Sequence, residues 1–389
     1  MNVIDLRDEL YKRQIEIIEI NEDCIYYDEE LSVDGEARIY IYCYDLADEQ
    51  ERVLAFFALG GSGFERRFYP CGDSIIMLFE NGTDSAWVIR TDKQTGAETL
   101  RRKISLIGKF SDCVVIDGSS IVIYTTEDDE NRELFLRCKK ATNSDTIANM
   151  YDLERGWRYF IKDFKTAALL RNCMQRFRSA NGDDKLLLCD PYCGESEKEE
   201  LVRALSKQFS AVGDELRDNI WIISQNKLLD AIRSRTENIS LRRIASAGLE
   251  GTVRFECISG SSVIFRAKLY KTQLEQFFEM STESGKVKPL REVRERNGDA
   301  AYFTDNENGE VYYLTRSGGR IRLEGEIGSS ADITYPEKIG EIESCVDGRY
   351  IIAEKPSDEP TTAIYDSRLH ITDTFQAKAR VKGETVVLY

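Results

Sequence analysis

Along the chain, short apolar runs are set off by polar breaks that hold a glycine, and the same phrase keeps returning. Val115-Ile-Asp-Gly118-Ser-Ser-Ile121-Val-Ile is the clearest copy: a glycine, two small polar residues, then a β-branched run. It returns at Cys257-Ile-Ser-Gly260-Ser-Ser-Val263-Ile-Phe, at Tyr69-Pro-Cys-Gly72-Asp-Ser-Ile75-Ile-Met and at Cys345-Val-Asp-Gly348-Arg-Tyr-Ile351-Ile-Ala. Weaker copies follow Asn181-Gly182 and Asn297-Gly298, while Cys24–Tyr27 and Asn219–Ile223 keep only the apolar run. Each glycine can take the positive φ that a tight two-residue hairpin turn requires, and the run behind it reads as a buried strand.

A second phrase follows most copies: an aromatic or β-branched strand, a turn with glycine, then a closing apolar residue. Trp87 to Gly96 before Leu100, Phe277 to Gly285 before Leu290, and Val311 to Gly318 before Ile321 are examples. Together the phrases spell a four-stranded antiparallel meander with a period of roughly 40–60 residues, the length of a propeller blade. One such sheet cannot bury both faces alone, so neighbouring blades stack around an axis and leave only short edges. The expected fold is therefore all-β: a single β-propeller domain over residues 1–389, of about seven four-stranded blades. The C-terminal Glu384-Thr-Val-Val-Leu-Tyr389 is strand-like and is expected to pair with the first blade.

One stretch breaks the rhythm. From 162 to 210 the pattern turns helical, with helical apolar spacing in Ala167–Phe177 and many helix formers in Glu195–Leu205. Between them, Lys185-Leu-Leu-Leu-Cys-Asp-Pro191 reads as a strand. Residues 162–210 are accordingly expected to be a helical insertion within the propeller.

Composition narrows the partners. The chain has 389 residues, 42% hydrophobic and 31% charged, which suits a folded globular protein. Its net charge is −16, and the basic stretches Arg233–Arg243 and Lys286–Arg296 are interrupted by acidic and apolar residues. Gripping phosphates takes clustered lysine and arginine, so neither nucleic acid nor an anionic membrane is an expected partner. The N-terminus lacks the basic and apolar regions of a signal peptide. No apolar run approaches the roughly 20 residues needed to span a bilayer. The ten cysteines are scattered singly and read as free thiols of a cytoplasmic protein.

The glycine-punctuated meanders resemble uncharacterised bacterial β-propeller-like repeat proteins, a resemblance that implies the fold and no activity. A narrower one concerns about residues 162–270. Leu188-Cys-Asp190-Pro191-Tyr192 and Ile220-Trp-Ile-Ile-Ser224 look like the Asp-Pro-Tyr stretch of phospholipase-D-like domains, and Phe265-Arg266-Ala-Lys268 looks like their His-x-Lys strand. In that family the histidine is the phosphoryl-accepting nucleophile. Arg266 stands in its place, so the resemblance implies an inactive module.

Candidate chemistry is sparse. The one histidine, His370, lies in an alternating outer-strand pattern, which leaves little room for His-dependent catalysis or metal binding. Gly60-Gly-Ser62-Gly63 runs into Phe64-Glu-Arg-Arg-Phe68 without the Gly-Lys-Ser/Thr of a phosphate loop, and reads as an inter-blade linker. Cys189 and Cys193 have no further close cysteine or histidine to complete a zinc site. Asp305-Asn-Glu-Asn-Gly309-Glu lacks the spacing of a calcium loop and reads as a hairpin turn. No catalytic residue, metal or cofactor is expected.

The acidic residues are placed more suggestively. Asp28 and Glu30, Glu80, Asp128 and Asp129, and Asp305 and Glu307 each follow the buried strand of a unit. In a propeller such loops project from one face, where carboxylates within a Debye length of about 10 Å add into one field. The expected function is therefore a non-catalytic binding or scaffold protein presenting this acidic loop face to a protein partner or a cation. The alternatives are a carboxylate-dependent hydrolase such as a glycosidase, with a carboxylate pair about 5–9.5 Å apart, and the inactive phospholipase-D-like module.

Overall fold

The computed structural model describes residues 1–7, 15–21, 23–34, 36–58, 66–80, 84–128, 132–142, 145–178, 182–189, 220–235, 251–259, 261–269, 275–284, 286–293, 299–304, 311–317, 320–324, 330–334, 342–346, 350–355, 360–366, 370–382 and 385–389. The described chain is nearly all strand, and its strands fall into two compact units.

After β1 (Asn2–Asp5), which belongs to the second unit, the first unit comprises Leu6–Arg171 with Leu229–Ile239. It holds three successive antiparallel meanders. The first is β2 (Ile15–Ile20), β3 (Cys24–Val33), β4 (Glu36–Asp45) and β5 (Gln50–Ala58). The second is β6 (Arg66–Cys71), β7 (Ser74–Glu80), β8 (Ser85–Asp92) and β9 (Glu98–Ser105). The third is β10 (Lys109–Asp117), β11 (Ser120–Thr126), β12 (Ile147–Asp152) and β13 (Trp157–Phe160), with helix α1 (Arg132–Thr142) between β11 and β12 and α2 (Phe164–Cys173) after β13.

Period-two alternation explains how these sheets pack. In β7, Ile76 and Leu78 face the third sheet and join Phe110, Val115, Ile121 and Ile123 in one core. Their neighbours Ile75 and Met77 face the first sheet and join Tyr26, Ile41, Cys43 and Leu54 in another. A strand buried on both faces must be apolar at every position, which is why the run is uninterrupted. Each such side chain contributes about 1.5–3 kcal/mol by leaving water.

The second unit comprises Met1–Asp5, Asn172–Leu228 and Ser240–Leu388. A three-stranded antiparallel sheet of β14 (Met174–Arg178), β15 (Asp184–Cys189) and β16 (Ile220–Ser224) is followed by α3 (Gln225–Arg233), whose residues from Leu229 on count with the first unit. Three four-stranded meanders succeed it. They are β17 (Gly251–Ser259) to β20 (Val287–Val293) through β18 (Ser262–Leu269) and β19 (Glu275–Ser281); β21 (Asp299–Thr304) to β24 (Ser330–Thr334) through β22 (Val311–Ser317) and β23 (Arg320–Glu324); and β25 (Ile342–Val346) to β28 (Ile371–Phe375) through β26 (Tyr350–Lys355) and β27 (Thr361–Tyr365). Last come β29 (Ala379–Lys382) and β30 (Thr385–Leu388).

In the six four-stranded sheets among the described residues the second and third strands pair without a register shift, while shifts recur in the outer pairs, such as Ile17/Glu19 in β2–β3 and Arg90/Thr91 in β8–β9. A slipped register would turn a buried strand inside out, so the inner pair stays regular and the outer ones absorb twist.

Several expectations are corrected. The helix read over Ala167–Phe177 ends at Cys173, because Met174–Arg178 finds ladder partners in Asp184–Leu188. Glu195–Leu205 lies outside the described residues. The C-terminal strand does pair with the start of the chain, but in parallel with β1 and in a separate three-stranded sheet, not inside the first meander. Gly72 takes the expected positive φ of 55°, whereas Gly118 does not. There the ladder shifts between Val115 and Asp117, and Asp117 Oδ1 accepts the Ser119 N–H at 2.8 Å, which closes the turn without a left-handed residue. Finally, β15 and β16 belong to one antiparallel sheet and β18, with Arg266 and Lys268, to another; Asp190, Pro191 and Tyr192 of the phospholipase-D-like stretch lie outside the described residues.

Candidate functional site

The described residues of the first unit line a half-open cavity of about 340 Å³ beside α1. The helix is set by local chemistry. Glu133 stands in its first turn and Lys139 and Lys140 in its last, matching the helix dipole, and Arg137 donates to Glu133 at 2.6 Å. Fully buried Phe135 anchors it in a cluster with Ile107 and Ile147. Leu134, Phe160, Ile161 and Ile232 form apolar wall, together with Cys138, whose thiol is pushed up by burial and partly drawn back by Arg158.

Asn149 belongs to the same lining. It sits on β12 between Ile123 and Phe160, is 1% exposed, and neither its Oδ1 nor its Nδ2 has a hydrogen-bond partner among the described residues. A buried amide left unbonded costs about 1–3 kcal/mol for each polar group. The lining also holds the exposed cations Arg158, Lys162 and Arg235. Arg235 closes the turn after α3, its N–H donating to Ile232 O at 3.0 Å with φ of 57°. Glycine is the usual residue in that left-handed position, and a side chain there costs roughly 1 kcal/mol. Arg233 beside it reaches Asp152 Oδ2 at 3.6 Å and Ser120 Oγ at 3.4 Å, tying the end of α3 to the third sheet.

The acidic residues singled out in the sequence fall elsewhere. Asp28 and Glu30 are brought together, but within β3 and not in a loop after it, because the strand runs on to Val33. Arg66 of β6 binds both, its Nε 2.8 Å from Asp28 Oδ2 and its Nη1 on Glu30 Oε2. Glu80 is the last residue of β7, half-buried; Asp128 follows β11, with Oδ2 buried and unpartnered. Asp129, Asp305 and Glu307 lie outside the described residues.

Other carboxylates of this unit are also held by arginines. Asp112 accepts from Arg67 at 3.4 Å and from Arg171 at 3.2 Å, and Glu154 from Arg90 at 2.8 Å. His370 precedes β28, exposed, with Nδ1 3.5 Å from Asp366 Oδ2. Cys24, Cys43 and Cys113 are unbridged thiols, and burial pushes Cys113 up to about 12. Among the described residues, no three His, Cys, Asp or Glu side chains gather where they could hold a metal, and no helix is long and apolar enough to cross a membrane.

No family model and no curated protein matches the chain. Solved structures do. The chain is similar to an oligogalacturonate lyase in complex with manganese at 11% identity and a TM-score of 0.44, over 92% of this chain and 93% of that one. It is similar to an uncharacterised protein of Listeria monocytogenes at 11% identity and a TM-score of 0.45, over 96% of each. It is similar to the β-propeller domain of the trilobed protease of Pyrococcus furiosus at 12% identity and a TM-score of 0.43, over 94% of this chain and 97% of that one.

The cavity residues had one legible trace in the sequence. Asn149 interrupts the apolar run Ile147-Ala-Asn-Met-Tyr151, where an asparagine has poor strand propensity and no evident turn role. The cations at 158, 162 and 235 carry no such mark.

Proposed function

We propose that this chain is a non-catalytic binding protein, a β-propeller of about seven four-stranded blades that presents acidic loops to a basic protein partner. The repeated meanders support the architecture, and the pairing of β1 with β30 supports closure of the chain on itself. The observation that carries the binding reading is the capture of Asp28, Asp112 and Asp152 by Arg66, by Arg67 with Arg171, and by Arg233. Carboxylates used to tie strands together are withdrawn from catalysis, and this reading assigns the outward field to Glu80, at the end of β7, and to Asp128, Asp129, Asp305 and Glu307.

A fluorescent decalysine peptide tests this by anisotropy over a salt series. The expected result is salt-dependent binding that weakens at least tenfold when those five acids are changed to lysine. Equal affinity of the variant, or no binding at low salt, would overturn the acidic-face reading. Glycoside hydrolysis abolished by the matching Glu→Gln and Asp→Asn changes would replace it with the hydrolase reading.

A further inference from the structure

We propose that the cavity beside α1 binds a small organic anion bearing an amide-like group. Its charge meets Arg158, Lys162 and Arg235, and its paired donor and acceptor meet the carboxamide of Asn149. This is independent of the acidic-loop reading, since no residue is shared between them.

The first argument is the unbonded amide. A carboxamide offers two donors and an oxygen acceptor, and buried polar groups are almost always bonded. The side-chain amide of Asn149 is buried and has no hydrogen-bond partner among the described residues, yet it borders an open volume. A leucine or valine would suit the ladder between Ile123 and Phe160 better. Uncompensated polarity of this kind belongs where a ligand supplies the missing partners.

The second is charge. The chain carries 69 acidic against 53 basic residues. The described cavity lining nevertheless contains three cations and no carboxylate. An acidic protein that collects only cations around one cavity selects for anions there.

The third is backbone strain. Arg235 holds a left-handed position that glycine would occupy more easily, and it lines the cavity. Leu134 and Phe160 add apolar surface to the lining, which suits a ligand with an apolar body. The volume of about 340 Å³ lies at the lower end of the range for small-molecule sites.

N-acetylphenylalanine is a probe that combines a carboxylate, one amide donor–acceptor pair and a ring. The expected result by calorimetry is saturable binding at millimolar concentration or better. N-acetylphenylalanine amide, which lacks the charge, and 3-phenylpropanoate, which lacks the amide, are expected to bind at least tenfold more weakly. Asn149→Leu is expected to lose probe binding at least tenfold while raising the Tm of the free protein. Arg235→Gly is expected to weaken the probe without affecting the neutral amide. Absence of saturable binding, equal binding of all three compounds, or unchanged binding in Arg235→Gly would overturn the proposal. So would a lower Tm in Asn149→Leu, which would mark Asn149 as a structural residue.

Discussion

Arg66 donates from Nε to Oδ2 of Asp28 at 2.8 Å, while Oδ1 of the same carboxylate is buried with no partner among the described residues. One oxygen is satisfied by charge and the other is stripped of water. Burial dominates: it pushes Asp28 from 3.8 up to about 6, against the pull of Arg66 and with Glu16, its register partner, adding to the rise.

The pH consequence has a definite sign. Between pH 4 and pH 6 the folded carboxyl holds its proton and the unfolded one does not, so stability rises as pH falls through that window. From pH 7 to pH 5 the native protein is expected to gain about 1 kcal/mol relative to Asp28→Asn. Urea unfolding of both proteins at the two pH values measures it. A relative loss at pH 5 would show that the ion pair outweighs burial.

Asp112 makes the contrasting case. It is bonded by Arg67 and Arg171, but all three side chains are about one-third exposed. Water screens such pairs, and both arginines keep ring contacts, Arg67 over Phe110 and Arg171 over Tyr124. Asp112→Ala is expected to cost no more than about 1 kcal/mol, and less at high salt. A loss of several kcal/mol in denaturant melts would mean the pairs act as a buried network.

Phe135 fixes α1 to the third sheet and is fully buried. Phe135→Ala is expected to cost about 3–5 kcal/mol and to speed modification of half-buried Cys138 by a thiol reagent. Unchanged reactivity would show that α1 stays docked without it.

Gly108 supports the same corner. Its φ is 95°, and a Cβ there would lie 2.2 Å from Thr126 O and 2.8 Å from Phe135 Cδ2. Gly108→Ala is expected to destabilise by about 2 kcal/mol or more, since backbone cannot yield as a flexible side chain does. A thermal melt coinciding with that of the native protein would contradict this packing.

Strands such as Ile75–Phe79 and Ile121–Ile123 were legible because an unbroken apolar run behind a glycine break satisfies local propensity and two-sided burial at once. Where the two disagreed, the sequence misled. Met174–Arg178 continues a helical pattern, yet cross-strand bonding with Asp184–Leu188 outweighs a propensity of tenths of a kcal/mol per residue. Helix α1 was invisible because few of its side chains point inward, and Phe135 needed Ile107 and Ile147 to make it an anchor.

By itself, then, the order of residues determined the alternation of turns and strands, since that depends on near neighbours and on period. Only the tertiary structure decided that Asp28 is a buried strand residue held by an arginine 38 positions away, and that Asn149 shares a cavity with Arg158, Lys162 and Arg235. Burial, a pKa and a binding cavity are properties of what surrounds a side chain, and those surroundings come from parts of the chain that no local pattern links.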